Sequence, residues 1–232
     1  MLDGHFVSVI ISAAGTGTRM GKQGKLHLLI AGQSVLFRTL CKFVSCDWID
    51  ELIVVRRKEQ EPELQELIDT LSFHCAVKTV EGGKERHDSV HKGLLALNEA
   101  SDIVLIHDGA RPFVKEESIL KVAECAVKTG ACALATPMVD TVKIVRTDLS
   151  VVATPDRSTL YRVQTPQGFR TKLILDAYRL AMEEGIEGTD DCSIVEKTGH
   201  PVQLIEGPHT NIKITTRADL FIGEGIAREE EQ

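Results

Sequence analysis

Residues 6–21 read FVSVIISAAGTGTRMG, an apolar run that passes directly into a turn of small residues and ends in a cation. The run predicts a buried strand, because strands covered on both faces carry hydrophobic residues continuously. A turn of glycine and alanine after such a strand lets backbone N–H groups approach a phosphate closely. The stretch therefore predicts the first strand of an α/β sheet with an anion site at its end.

Apolar runs of strand length alternate along the chain with segments of helical periodicity. The runs are residues 6–12, 52–55, 76–80, 103–106 and 131–136, and the helical segments lie near 34–46, 59–72, 86–99 and 116–129. This alternation is typical of parallel β-α-β units. It predicts an α/β fold with a mostly parallel sheet flanked by helices, whose ligands bind beyond the carboxyl ends of the strands.

The composition of the chain narrows its class. With 232 residues, 43% of them hydrophobic, the chain can bury the core of one domain, which we expect to span residues 1–232. A net charge of -7 argues against nucleic acid or a membrane surface as partners. The acidic start MLDGHF and six cysteines without zinc-site spacing favour a cytoplasmic protein with reduced thiols.

One stretch, at about residues 138–164, departs from the alternation. It contains two extended pieces, VDTVKIV (139–145) and LYRVQ (160–164), joined through RTDLSVVATPDRS. We expect these pieces to pair as a β-hairpin arm. Because a lone hairpin has little core of its own, packing on a second subunit would stabilise it most readily. The stretch therefore predicts a homodimer that forms through this β-arm.

The glycine-rich turn after the first strand matches neither standard phosphate motif. A dinucleotide-binding GxGxxG has Met20 at its third glycine position, and basic residues 56–57 stand where an acid would hold the ribose. A P-loop fails at Gln23. Glycines can also serve a tight turn for steric reasons alone. The cations Arg19 and Lys25 nearby nevertheless favour phosphate binding.

Two further motifs follow predicted strands. In GGKERHDSV (82–90), the paired glycines would let a flat ligand approach, and Ser89 could form a hydrogen bond with the edge of a nucleotide base. An ordinary loop with solvated charges is the alternative interpretation of this motif. In HDGARP (107–112), Asp108 follows a buried strand. Mg²⁺ takes only one or two carboxylates and completes its shell with phosphates and water, so Asp108 is the candidate metal ligand. A turn-capping aspartate is the alternative.

The second half of the chain contributes scattered candidates. Thr189 precedes two acids, a pattern that fits either a ligand site or a capped helix start. Lys213 alternates with Ile212 and Ile214, which predicts a strand with the lysine on its polar face.

Taken in order, the motifs resemble one family across nearly the whole chain, the 2-C-methyl-D-erythritol 4-phosphate cytidylyltransferases. The motifs are AAGTGTRM with Lys25, GGKERHDSV, HDGARP, DTVK, TPQGF, TDD and NIKIT. The resemblance implies a Rossmann-like domain of nucleotidyltransferase type and a dimer joined by the β-arm. It further implies transfer of CMP from CTP to 2-C-methyl-D-erythritol 4-phosphate with Mg²⁺, with 4-diphosphocytidyl-2-C-methyl-D-erythritol and pyrophosphate as products.

The resemblance also implies roles for individual residues. It implies catalytic roles for four cations, with Arg157 supplied by the partner's arm: Arg19, Lys25, Arg157 and Lys213. It implies a CTP and Mg²⁺ pocket formed by Ala13, Ala14, Gly15, Gly17, Gly82, Gly83, Ser89, Asp108 and Gly109, with Asp108 as the metal ligand. It implies that the sugar-phosphate side consists of Arg111, Thr141, Thr165 and Thr189.

Some positions depart from the family's commoner pattern. Lys25 is followed by Leu26-His27 where many relatives have glutamine, Ser34 stands in place of a proline, and Lys22 lies close enough to be confused with Lys25. Two other functions stay open at this point. One is a ribitol-5-phosphate cytidylyltransferase, whose motifs overlap nearly everywhere, and the other is a non-catalytic nucleotide-binding regulator on the same scaffold.

Overall fold

The centre of the molecule is a seven-stranded mixed sheet. The computed structural model describes residues 1–15 and 25–230, with Lys25 described in its backbone only. The strand order is β11-β7-β10-β6-β1-β4-β5. These strands are β1 Val7–Ser12, β4 Glu51–Arg56, β5 Ala76–Glu81, β6 Ile103–Asp108, β7 Ala131–Pro137, β10 Tyr161–Arg170 and β11 Gln203–Glu206.

Helices cover both faces of this sheet, and two short strand pairs lie outside it. The helices are α1 Val35–Val44, α2 Glu61–Asp69, α3 Arg86–Leu95, α4 Glu116–Thr129, α5 Thr171–Glu184, α6 Asp191–Lys197 and α7 Arg217–Glu230. The short strands are β2 Leu29–Ile30, β3 Gln33–Ser34, β8 Ile144–Val145 and β9 Val151–Ala153. The five strands and four helices of the predicted alternation are confirmed, and with them the α/β fold class.

The apolar alternation of the strands divides the core into two layers. Val9 and Ile11 of β1 pack into the layer that α1, α2, α4 and α7 cover, whereas Ile10 packs into the layer under α3, α5 and α6. All three side chains are fully buried. Because successive side chains of a strand point to opposite faces, a continuous apolar run is what a doubly covered strand requires.

The helices begin and end at residues suited to those places. The Ser34 hydroxyl accepts from Phe37 N at the start of α1, and the Asp190 carboxylate accepts from Ser193 N at the start of α6. Gly130 ends α4 at φ +90° and Gly185 ends α5 at φ +65°, conformations that cost glycine little. The predicted cap of α6 is therefore present, but the capping residue is Asp190 rather than Thr189.

Strand β10 corrects the prediction for residues 138–164. Tyr161–Val163 do not pair with VDTVKIV; they begin the ten-residue strand β10, which lies antiparallel between β6 and β7. The hairpin of the arm is instead β8 with β9, closed by a turn in which Arg146 N donates to Ser150 O. The connection between β8 and β9, residues 146–150, loses less entropy on closure than the predicted connection of residues 146–159. The arm therefore ends near residue 160.

The strand topology places a crevice at the carboxyl end of β1. From β1 the order runs through β4 to β5 on one side and starts with β6 on the other, so the carboxyl ends of β1 and β6 meet at a switch point. Ligands of open α/β sheets bind at such points. Within residues 1–15 and 25–230, no helix is long and apolar enough to cross a membrane.

Candidate active site

A cleft opens at this switch point between β1 and β6. It has a cavity volume of about 200 Å³. The sequence-predicted residues that line it are Ala14, Gly15, Gly83, Ser89, Asp108 and Lys213. Its other described lining residues are Ser12, Leu26, Lys84, Glu85, Arg86 and Ala110. Residues from four of the quoted motifs thus line one cleft beside the carboxyl ends of the two strands.

The paired glycines close one wall of the cleft because no side chain fits there. A Cβ on Gly82 would stand 2.6 Å from the Ala14 Cβ, and one on Gly83 would overlap the Asp88 Cβ. The Ser89 hydroxyl accepts from Gly83 N at 3.0 Å and donates to Glu85 O at 3.0 Å. The hydroxyl of Ser89 therefore shapes the glycine turn, and one of its lone pairs stays available.

Asp108 lies at the centre of a cluster of cations. Lys213 Nζ is 2.7 Å from Asp108 Oδ2. Arg86 Nε is 3.5 Å from Oδ1, and Arg111 Nε is 3.5 Å from Oδ2. Burial opposes ionisation of the Asp108 carboxyl, but the charges of Arg86, Lys213 and Arg111 outweigh it and hold its pKa well below the ordinary range. Asp108 is consequently an anion at any physiological pH.

A second carboxylate fixes Arg86. The guanidinium of Arg86 forms a bidentate pair with Asp191 at 3.0 and 2.8 Å, and the Tyr178 hydroxyl donates to Asp191 Oδ1 at 2.6 Å. Asp191 is fully buried. Its negative charge raises the pKa of Arg86 against the effect of burial, so Arg86 stays cationic. A planar two-bond pair of this kind holds a guanidinium in one orientation.

Neither Arg86 nor Asp191 was assigned a role from the sequence. Both stand inside quoted motifs, GGKERHDSV and TDD, but 105 positions separate them along the chain. No spacing rule links residues so far apart. The sequence offered only their charges as a signal: Arg86 follows the glycine pair, and Asp191 follows another acid, Asp190.

His107 and Thr165 lie directly beneath Asp108. His107 Nε2 is 3.1 Å from Arg111 O, and Nδ1 is 3.1 Å from Thr165 Oγ1. Thr165 Oγ1 also accepts from Asp108 N at 3.0 Å. Burial lowers the pKa of His107 to about 4, so the ring is neutral near pH 7. Sequence reasoning assigned Thr165 to the sugar-phosphate side and gave His107 no role.

A second cleft lies beyond Lys213 and contains Arg111. Its cavity volume is about 350 Å³. Arg111 also donates to Asn211 O at 2.8 Å. Burial lowers the pKa of Arg111, and the charge of Asp108 offsets part of this effect. The described lining comprises Arg111, Thr136, Arg162, Val163, Gln164, His209, Asn211, Ile212, Lys213, Asp219 and Ile222. Lys213 separates the two clefts and faces both.

The segment that carries Lys213 corrects one prediction. Residues 211–215 form no strand in the described structure. The segment is held by single contacts instead, with Ile214 N donating to Ala110 O at 2.8 Å and Asn211 Nδ2 donating to Thr165 O at 2.9 Å. Ile214 is fully buried and Lys213 is turned to the cleft, so the predicted alternation of side chains holds without sheet pairing.

The remaining predicted residues lie beside this cleft, elsewhere on the protein, or outside the described residues. Thr141 is exposed on the arm and Thr189 is exposed before α6. Arg157 lies at the base of the arm and donates to Val139 O at 3.1 Å. Backbone contacts hold Ala13 N to Val55 O and Gly109 N to Ser12 O beside the cleft. Residues 16–24, with Gly17, Arg19 and the alternative Lys22, and the side chain of Lys25 lie outside the described residues.

Sequence comparison assigns the chain to a family. The sequence profile of the 2-C-methyl-D-erythritol 4-phosphate cytidylyltransferases matches residues 7–229. The chain belongs to this family. A 2-C-methyl-D-erythritol 4-phosphate cytidylyltransferase of Caldanaerobacter subterraneus subsp. tengcongensis is 42% identical over 96% of the chain and 99% of its own length. An enzyme of the same name from Halalkalibacterium halodurans is 41% identical over 97% of the chain and 98% of its own length.

Solved structures agree with this assignment. The 4-diphosphocytidyl-2C-methyl-D-erythritol synthase of Anaerococcus prevotii superimposes with a TM-score of 0.88 at 36% identity, covering 97% of this chain and 100% of its own. The 2-C-methyl-D-erythritol 4-phosphate cytidylyltransferase of Thermus thermophilus gives a TM-score of 0.80 at 34% identity over 96% and 99%. The enzyme is therefore a nucleotidyltransferase with the fold of its family, and the comparisons favour neither ribitol phosphate nor a regulator.

Proposed function

We propose that the enzyme transfers CMP from CTP to 2-C-methyl-D-erythritol 4-phosphate in the cleft between β1 and β6. The observation that carries this proposal is the cluster of Arg86, Arg111 and Lys213 around the buried anion Asp108, at the switch point of the sheet. A site that brings two anionic substrates together needs such a concentration of fixed positive charge. The glycine turns beside the cluster leave room for a nucleotide.

The transfer reaction depends mainly on positioning the two substrates and on stabilising their negative charge. An oxygen of the acceptor phosphate forms a bond to the α-phosphorus of CTP, while the bond from that phosphorus to the bridging oxygen breaks and pyrophosphate leaves with the electron pair. The acceptor oxygen is already ionised, so no strong general base is required. Repulsion between the two anions is the main obstacle, and cations held in line with the reacting groups reduce it.

The cations of the chain divide this work. Lys213 faces both clefts, so its ammonium group could exchange its contact with Asp108 for one with the acceptor phosphate. Arg111 borders the second cleft, where the polyol end of the acceptor would lie. Arg19 and Lys25 are proposed, from the family's motifs, to stabilise the charge that develops at the α-phosphate and the leaving group. Thr141 and Thr189 remain proposed contacts of the sugar-phosphate side.

Asp108 is the proposed Mg²⁺ ligand, and its surroundings fit that role. The cation cluster keeps the carboxylate ionised. The described contact of its Oδ1 is the 3.5 Å approach of Arg86 Nε, which is longer than a hydrogen bond. One carboxylate oxygen without a close hydrogen bond suits Mg²⁺, which usually completes its shell with substrate phosphates and water. When bound, the ion would neutralise charge on the triphosphate of CTP.

Residues 1–232 are proposed to act as one domain, and the arm is proposed to form a homodimer. Six apolar side chains stand exposed on the arm, at Val139, Ile144, Val145, Leu149, Val151 and Val152. A two-stranded hairpin with this much exposed apolar surface gains most by packing against another chain. Arg157, at the base of the arm, would then reach the site of the partner subunit. The six free cysteines support a reducing compartment, for which we propose the cytoplasm.

Sites shared between subunits predict complementation between inactive variants. Arg19→Ala and Arg157→Ala are each expected to be inactive alone. Purified heterodimers should recover about half of the wild-type turnover per dimer, because one of the two composite sites keeps both arginines. Turnover would be measured after co-expression with two affinity tags. Persistent inactivity of purified heterodimers would place Arg157 in its own subunit's site.

The proposed function is tested by pyrophosphate release. Enzyme with CTP and Mg²⁺ would be offered 2-C-methyl-D-erythritol 4-phosphate or ribitol 5-phosphate in parallel. We expect release with the first acceptor, and the nucleotide product would be identified by mass. Pyrophosphate release with ribitol 5-phosphate alone would overturn the assignment of the acceptor. No release with either acceptor would overturn the proposed transfer reaction.

A further inference from the structure

We propose that Lys92 is a positioning residue that fixes the orientation of the peptide unit between Gly82 and Gly83, in the wall of the cleft between β1 and β6. Lys92 lies two positions beyond the GGKERHDSV motif. The family motifs therefore give it no role. The effect on CTP rests on the proposed function, whereas the hold on the peptide does not.

Both polar groups of this peptide unit are bound by side chains of α3. Lys92 Nζ donates to Gly82 O at 2.9 Å, and Ser89 Oγ accepts from Gly83 N at 3.0 Å. The oxygen and the amide hydrogen of a trans peptide point in opposite directions. The two side chains therefore hold the same peptide unit at opposite edges.

Among the described residues, the backbone of the sheet supplies no donor for the carbonyl of Gly82. Pairing of β4 with β5 ends with Arg56 opposite Glu81, and one more bond follows, in which Gly82 N donates to Arg56 O at 2.8 Å. Strand β4 then ends, and a 3-10 helix begins at Lys58. Lys92 thus takes the place of the donor that a longer β4 would supply.

Glycine on both sides leaves two orientations of this peptide open. A rotation of the peptide plane by about 180° changes ψ of Gly82 and φ of Gly83, and glycine tolerates both signs of φ. Ser89 does not select between the two orientations, because a hydroxyl can accept from an N–H or donate to a carbonyl. An ammonium group can only donate, so Lys92 stabilises the orientation in which the carbonyl faces it.

The orientation matters because this peptide borders the space for a nucleotide. Gly83 and Ser89 line the cleft, and Gly82 packs so closely that a Cβ on it would stand 2.6 Å from the Ala14 Cβ. A rotated peptide would exchange an N–H and a carbonyl beside the cleft. Preorganised donors and acceptors bind a ligand without the cost of ordering them, so a mixture of orientations would weaken CTP binding.

Close packing of α3 on the sheet sets the reach of Lys92. A Cβ on Gly93 would stand 2.9 Å from Ile10 Cγ2 and 3.0 Å from Val55 Cγ2, so the absence of a side chain permits this approach. Ser89 and Lys92 are three positions apart and lie on the same side of the helix. The lysine therefore extends to the glycine pair from a fixed base, although its own side chain is exposed.

The binding test compares Lys92→Met, Lys92→Arg and a matched control, Lys197→Met. Lys197 Nζ also donates to a backbone carbonyl, that of Glu187 at 2.7 Å, at the end of α6. Methionine keeps most of the lysine stem without a donor. We expect Lys92→Met to raise the Kd and the KM of CTP about 3- to 10-fold, with kcat and the acceptor KM unchanged. Lys92→Arg and Lys197→Met should bind CTP nearly as tightly as the wild type does.

A second readout requires neither CTP nor an acceptor. Hydrogen exchange at Gly83 N, followed by NMR, should speed up in Lys92→Met but not in Lys92→Arg or Lys197→Met, with circular dichroism confirming an intact fold. Unchanged exchange in Lys92→Met would overturn the hold on the peptide, even if the wild-type enzyme released no pyrophosphate. Faster exchange with unchanged CTP affinity, or a lower kcat at an unchanged CTP KM, would overturn the positioning role.

Discussion

Lys213→Ala is expected to lower kcat by about 10²- to 10³-fold while the fold survives, because it removes a cation placed between the two clefts. The fold should survive because Ile214 and Asn211 anchor the segment independently of the lysine side chain. Asp108 would still have Arg86 and Arg111 beside it. The measurement is steady-state pyrophosphate release, together with thermal unfolding.

Two control variants sharpen this prediction. Lys172→Ala removes an exposed lysine on α5, far from the cleft, and should leave kcat at the wild-type value. Lys213→Arg keeps the charge but alters its shape, and we expect it to recover part of the loss. Near-normal turnover of Lys213→Ala would remove this residue from the phosphate-binding role.

Asp108→Asn is expected to raise the Mg²⁺ concentration needed for half-maximal rate by about tenfold or more and to lower kcat by about 10²-fold. The amide keeps the shape of the side chain but removes the negative charge that Lys213, Arg86 and Arg111 share. Those three cations then repel the metal and one another. The measurement is a Mg²⁺ titration at saturating CTP.

The matched control for Asp108→Asn is Asp176→Asn, a carboxylate on the surface of α5 that pairs with Lys172. It should have the metal dependence of the wild type. If the titration of Asp108→Asn coincided with that of the control, Asp108 would not be the metal ligand, and the turn-capping interpretation would replace it.

Much of the fold could be predicted because local patterns specify it. Each of the five predicted strands is a run of apolar residues between segments of helical period, and burial on both faces explains that pattern. Strand β10 lacks the pattern, since Gln164, Thr165 and Gln167 are polar and Pro166 cannot donate to a neighbouring strand. Hydrogen bonds to side chains satisfy those polar groups inside the protein, and the periodicity of apolar residues in the sequence does not predict such bonds.

Part of the candidate site could likewise be predicted from local sequence patterns. Gly83, Ser89 and Asp108 follow strand ends, and parallel strands bring their ends to one edge, so the cleft could be placed from the sequence. The sequence could not predict the bidentate pair of Arg86 with Asp191 or the hydrogen bond between His107 and Thr165. Each depends on side chains that only the tertiary structure brings together. Family resemblance supplied residue roles without supplying these contacts.

The bonds that complete the cleft join distant parts of the chain, which bears on how the enzyme is made. A ribosome releases the glycine turns and Asp108 well before Asp191 and Lys213. Until the last third emerges, Arg86 lacks its bidentate partner and Asp108 lacks its 2.7 Å contact with Lys213. The nascent polypeptide therefore has the sheet's first strands but not a finished pocket, and the cluster of cations around Asp108 is complete only near the end of synthesis.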